Sequence, residues 1–164
     1  MPPSDRPHPP RSAPYRPRER KRTLPEPAAP SSWRITLPHT TAAVPIARAL
    51  IRKAFADMRV PADSDTAELL TAELVANAVE HTAGDKPIEL VVEVLPSGHQ
   101  HVEVHDNDPA PVEGLGDDAF PETDLLDEGG RGLLLIRTLS ADSGYRPTEQ
   151  GKVVWFRLPA EPPA

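Results

Sequence analysis

Apolar and polar residues alternate through Trp33-Arg34-Ile35-Thr36-Leu37, the period of a half-buried strand, and Pro38 ends the run. The period then lengthens. Val44, Ala47, Leu50, Ile51, Ala54 and Phe55 fall on one side of a helix that Thr40 or Thr41 can cap and that runs to about Met58. Pro45 fits only within its first turn. Pro61 breaks the chain, and Asp63 or Ser64 then caps a second helix through about His81. Ile88 to Val94 is β-branched and partly alternating, and His101 to Asp106 alternates strictly. Pro96-Ser97-Gly98 between them is turn chemistry, so the two strands form a hairpin. Residues 107–128 make a long loop rich in acids and prolines, and loops of that length in a compact domain are functional or disordered. A third helix is expected after Gly132, running to about Leu139. Two last strands flank a turn near Gln150-Gly151, the second being Lys152 to Leu158. This order predicts an α+β two-layer sandwich, with helices on one face of a mixed, mostly antiparallel sheet.

Composition refines the outline. The chain has 164 residues, enough for one domain and a tail, and its net charge is −7. Residues 1–30 carry seven Arg/Lys against three Asp/Glu, which leaves −11 to the remaining 134 residues. They also hold ten of the 22 prolines, so 1–30 is expected to be a disordered Pro/Arg-rich tail. The expected domain is 31–160, with a short C-terminal tail at 161–164. An acidic body makes direct nucleic-acid binding an unfavoured function, since phosphate contacts need clustered Lys and Arg. There are no cysteines, so disulfides and thiolate metal sites are excluded. No apolar run reaches the roughly 20 residues of a membrane span, and no signal-peptide core is evident. A soluble, cytoplasmic protein without membrane contacts is expected.

Three motifs carry candidate chemistry. On the second helix, Glu73, Asn77 and Glu80 fall within roughly 60° of one another, a polar stripe opposite Leu74, Val75, Ala78 and Val79. An amide oxygen suits Mg²⁺, and a carboxylate one turn away can accept a proton from a hydroxyl nucleophile. In the alternating strand, Asp106 shares the inward face with Val102 and Val104, where a carboxylate needs a hydrogen-bond partner such as a ligand amine. His101, Glu103 and His105 share the other face, and two histidines without further ligands make a weak zinc site. Finally, Glu128-Gly129-Gly130-Arg131-Gly132-Leu133 offers glycines and a helix start, a combination that binds anions.

In that order the motifs resemble the GHKL (Bergerat) ATP-binding fold. Glu73 to His81 is similar to the N box, Asp106 to the Asp of the G1 box, and Gly130-Arg131-Gly132 to the G2 box. Gly151-Lys152-Val153-Val154-Trp155-Phe156 resembles the last strand of the short anti-sigma serine/threonine kinases. The resemblance spans about residues 33–158. It implies ATP and Mg²⁺ as cofactors, with Asn77 holding the metal, Glu73 as general base and Asp106 bonding the adenine amine. It further implies that His81 lies among the nucleotide-binding residues, that amides around Gly130, Arg131, Gly132 and Leu133 bind phosphate, and that 107–128 is the ATP lid. The implied activity is phosphorylation of an anti-anti-sigma protein, or sequestration of a sigma factor, by a homodimer.

The sequence departs from the family at two places. The G1 box lacks its glycines, reading Asp106-Asn107-Asp108-Pro109-Ala110. The lid is acidic, with Glu113, Asp117, Asp118, Glu122, Asp124, Asp127 and Glu128 and no Lys or Arg, which works against a triphosphate. Both features fit an alternative function: a catalytically weak partner-binding module with little nucleotide dependence.

Overall fold

The computed structural model describes residues 31–60, 64–110 and 128–160, the side chains of 128–130 excepted. The expected tails and the loop at 111–127 lie outside the described residues. Eight elements follow the expected order: β1 Ser32–Leu37, α1 Ala43–Asp57, α2 Ser64–His81, β2 Ile88–Val94, β3 Gln100–Asp106, α3 Glu128–Leu139, β4 Asp142–Pro147 and β5 Lys152–Leu158.

The strands form one sheet in the order β1-β2-β3-β5-β4, and all four pairings are antiparallel. Alternation sets which face each residue takes. Ile88, Leu90 and Val92 of β2, Val102 and Val104 of β3, and Val154, Phe156 and Leu158 of β5 point to one side. There they join Ala47, Ile51, Ala54 and Phe55 of α1, Leu70, Leu74, Val75 and Ala78 of α2, and Leu133 and Ile136 of α3 in a single core. The helices therefore cover one face of the sheet, giving the α+β sandwich that the patterning implies. With few aromatics, this core is filled by branched aliphatics and alanine.

The hairpin between β2 and β3 closes as its turn residues require. The Gly98 N–H donates to the Leu95 carbonyl at 2.8 Å, and Gly98 itself has φ +86°. That left-handed conformation costs glycine no steric penalty.

Two helix starts differ from expectation. Neither Thr40 nor Thr41 caps α1 through its side chain; the N-cap is Ala42, itself in helical conformation. The carbonyls of Thr40 and Thr41 accept the Ala43 and Val44 N–H groups instead. The turn is tight enough for backbone to satisfy donors that a hydroxyl would otherwise serve. The α3 helix starts at Glu128, not after Gly132. Glycine's poor helix propensity made the Gly-rich stretch read as a turn, but propensity yields to the packing of Leu133 and Ile136 in the core.

One ion pair ties α1 to α2. Arg52 Nε and Nη2 donate to the two oxygens of Glu68 at 2.7 and 2.8 Å. Glu68 is 5 % exposed at its side chain and Arg52 67 %. The Arg52 hydrogen bonds hold the Glu68 carboxyl below its ordinary range, against the opposing effect of burial.

Candidate functional site

The α2 helix presents Glu73 and Asn77, one turn apart and both half-buried, on its polar stripe. Their apolar neighbours Leu74, Val75 and Ala78 are fixed in the core, which sets the orientation of the stripe. The α3 helix packs against α2, and Gly132 is the point of approach. A methyl group placed on Gly132 would overlap the Glu73 carboxylate. Glycine at 132 leaves room for a side chain 59 positions away in sequence, and the candidate base lies against the Gly-rich segment. Because α3 begins at Glu128, the amides of Gly132 and Leu133 face carbonyls four residues back. Within the helix, the first-turn amides left without a carbonyl partner are those of 128–130. Arg131 is exposed, and Leu133 is buried in the core.

The far end of the α2 stripe is more open. His81 is exposed, with its Nε2 3.9 Å from Glu80 Oε2. The carbonyl of Val79 accepts a hydrogen bond from His39 Nε2 at 3.2 Å, which anchors the last turn of α2 to the segment after β1.

Asp106 closes β3 on the core side of the sheet and is buried, as the alternation requires. Its partner in this structure belongs to the protein. Lys152, opposite it on β5, places Nζ 3.2 Å from Oδ1 and 3.2 Å from Oδ2. The side chains are 8 % and 2 % exposed for Lys152 and Asp106. Lys152 also donates to the Asp108 carbonyl at 3.0 Å, while Asp106 Oδ1 accepts the Asp108 N–H at 2.9 Å. Asp108 Oδ1 in turn accepts the Ala110 N–H at 3.0 Å. A Cβ on Gly151 would run into the Asp106 carbonyl and the Asn107 backbone. Two Asx turns and a lysine therefore shape residues 106–110, which include no glycine. Lys152 did not emerge from the motifs as a site residue. Part of the signal was available, since period-two alternation places Lys152 on the same inward face as Val154, Phe156 and Leu158.

The opposite face of the sheet has different chemistry. Glu103 lies between His101 and His105, its two oxygens each 2.8 Å from one Nε2. Arg146 contacts the same carboxylate at 3.2 and 3.4 Å, and Arg157 Nε donates to His101 Nδ1 at 3.1 Å. Accepting from Arg157 leaves His101 Nε2 as the donor to Glu103. Hydrogen bonds from His101, then from His105, hold the Glu103 carboxyl far below its ordinary range despite burial. These side chains satisfy one another. Among the described residues, no group of three or more His, Asp and Glu is arranged to hold a metal. A Mg²⁺ ion, however, needs few protein ligands when phosphates supply the rest. The half-buried Asn77 amide, one helical turn from Glu73, fits that requirement.

A single antiparallel sheet with helices on one face, and an acid–amide stripe facing a glycine-rich helix start, defines the GHKL class of ATPase folds. The description of the Histidine kinase-like ATPase domain family matches residues 37–158, and the chain belongs to that family. Among solved structures, the chain is similar to the RsbU and RsbW domains of Rv1364c from Mycobacterium tuberculosis, at 20 % identity and a TM-score of 0.60. That match covers 82 % of this chain and 34 % of the other, so the chain spans about a third of that protein's length. A second similar structure is the histidine kinase domain of a blue-light activated histidine kinase from Erythrobacter litoralis. It has 20 % identity and a TM-score of 0.46, covering 75 % of this chain and 61 % of the other. No curated protein matches. No helix among the described residues is long and apolar enough to cross a membrane.

Proposed function

We propose that the protein is an ATP-binding regulator of the anti-sigma type. It would phosphorylate a serine or threonine on an anti-anti-sigma partner, sequester a sigma factor, or do both, as a homodimer. The observation that carries this is the approach of Gly132 to the Glu73 carboxylate. It sets the candidate base against the first turns of α3, whose free amides and helix dipole would suit phosphates, with the candidate metal ligand Asn77 one turn further along α2. Mg²⁺, when bound, would neutralise phosphate charge. Asn77 would hold it through the amide oxygen, Glu73 would accept the proton of the attacking hydroxyl, and Asp106 would accept a hydrogen bond from the base amine. The ATPase family and the RsbW-containing neighbour support this reading.

The test is calorimetric titration of the full chain with ATP, with and without Mg²⁺, alongside Asn77→Ala. The expected result is Mg-dependent binding on the order of micromolar, or about −8 kcal/mol, that the variant loses. A folded wild-type protein that binds no ATP would overturn the nucleotide-site assignment. Glu73→Gln then separates binding from chemistry: it should abolish phosphotransfer and leave ATP affinity nearly unchanged.

One observation favours a second function, a partner-binding module with weak nucleotide dependence. The Asp106 carboxylate already has an internal cation, and its side chain is nearly closed to solvent. Sigma-factor binding unaffected by ATP, with no phosphate transferred to any partner, would select this function over the first.

A further inference from the structure

We infer that His39 is a positioning residue for the candidate metal ligand: from the segment between β1 and α1 it holds the last turn of α2, and with that turn the Asn77 amide. The inference rests on the proposed function, in which Asn77 takes the Mg²⁺ that accompanies ATP.

The two site residues of α2 are anchored unequally. Glu73 sits among Leu70, Leu74 and Val75, all fixed in the core. Asn77 belongs to the final turn, where Ala78 is the last residue of the helix to be fully buried. Val79 is half-buried, and Glu80 and His81 are exposed. Terminal turns open most easily, because their last carbonyls have no amide further along the helix to hold them. A single buried methyl group is a weak brace for a residue that must present its amide in one orientation.

His39 supplies what that turn lacks. The Thr82 N–H donates to the Ala78 carbonyl at 3.3 Å as the helix ends. The next carbonyl, that of Val79, accepts from His39 Nε2 at 3.2 Å. A carbonyl can only accept, so Nε2 carries a proton. The other ring nitrogen, Nδ1, is buried and has no hydrogen-bond partner. A buried polar atom left unpaired works against folding, and an apolar residue at this position would avoid that penalty. What the imidazole contributes is therefore the Nε2 donor. That donor is itself held in place. Leu37, two residues earlier, is buried opposite Ile88, Pro38 fixes its own φ, and the Thr40 and Thr41 carbonyls accept the Ala43 and Val44 N–H groups. His39 thus ties a braced segment to the less braced end of the helix that carries Asn77. It acts through the helix end rather than on the ion.

The experiment uses the full chain with His39→Leu and His39→Ala, which lack the donor, and His39→Gln, whose amide N–H restores it. Calorimetry measures ATP affinity with Mg²⁺ and with the metal chelated. In the nucleotide-free protein, hydrogen exchange follows the amides at the end of α2. Both apolar variants should bind Mg-ATP about tenfold more weakly and keep metal-free ATP affinity within about twofold, since groups that orient a metal ligand act on the metal-dependent part. Exchange at residues 80–83 should quicken in both, with the rest of the fold unchanged. His39→Gln should match wild type in both readouts. Equal losses with and without Mg²⁺ would mark a general structural role and overturn the inference. So would unchanged exchange, or quickened exchange with the Mg²⁺ dependence intact. These outcomes count against His39 alone when wild type binds ATP in a Mg-dependent manner through Asn77. If wild type shows no such binding, the proposed function has failed and the inference falls with it.

Discussion

Replacing Gly132 with alanine should separate function from stability. The added methyl would overlap one carboxylate oxygen of Glu73 and would lie 3.3 Å from its Cδ and 3.5 Å from its Cβ. The clash is with the far end of a flexible side chain, so Glu73 can turn away. Rotating it off its present conformer costs about 0.5–1.5 kcal/mol. Against that, alanine inside a helix is worth about 0.8–1 kcal/mol over glycine. The two terms nearly cancel, so the midpoint of thermal unfolding should stay within about 4 °C of wild type. Phosphotransfer should not survive as well. A positioned general base is worth roughly 10²–10⁴-fold, and the variant should lose most of that, as Glu73→Gln should. The assay is a thermal melt by circular dichroism paired with phosphate transfer to the partner protein. A variant that melts more than about 8 °C lower would show that Glu73 is held rigidly. One that transfers phosphate at the wild-type rate would show that the Glu73 conformer does not matter. Either result refutes the reasoning.

Three further substitutions probe other parts of the fold. Gly151→Ala places its methyl against the Asp106–Asn107 backbone, which cannot swing aside, so it should cost about 1–3 kcal/mol and lower the melting midpoint clearly below that of Gly132→Ala. Glu103→Gln should flatten the acid limb of stability. The depressed Glu103 carboxyl contributes fully above its unfolded value of about 4.3 and loses that contribution as pH falls toward its lower folded value, so wild type and variant should converge in urea melts at acid pH. Arg52→Met removes the cation that lowers Glu68, so its stability deficit should be largest at neutral pH and shrink as the pH falls below the ordinary carboxylate range.

Much of this architecture was legible because two periodicities do most of the specifying. Alternation in His101–Asp106 gave the inward Asp and the β2–β3 hairpin, and the three-to-four spacing in α2 gave the Glu73–Asn77 stripe. The start of α3 was not legible. Gly129, Gly130 and Gly132 disfavour a helix locally, and what offsets them is burial of Leu133 and Ile136 against elements distant in sequence. The partner of Asp106 was half legible. Alternation turns Lys152 inward, but only the β3–β5 register sets it opposite Asp106. The face of His101, Glu103 and His105 was recognised as polar. That Arg157 would complete it depended on the β3–β5 register, and that Arg146 would do so on the β4–β5 pairing.

The position of β5 between β3 and β4 has a consequence during synthesis. A ribosome delivers the chain N-terminus first, so β1, β2 and β3 emerge as a three-stranded sheet with one long side of β3 lacking a neighbour. Until Lys152–Leu158 arrives, that side is a free edge, and free edges recruit foreign strands. The His101, Glu103 and His105 side chains discourage such pairing by keeping one face of the nascent edge charged and wet. Asp106 at its end is a second guard, an acidic side chain without its lysine partner until β5 docks. The Asp106–Lys152 contact forms only when β5 docks, so the same event partners the buried acid and covers the open side of β3.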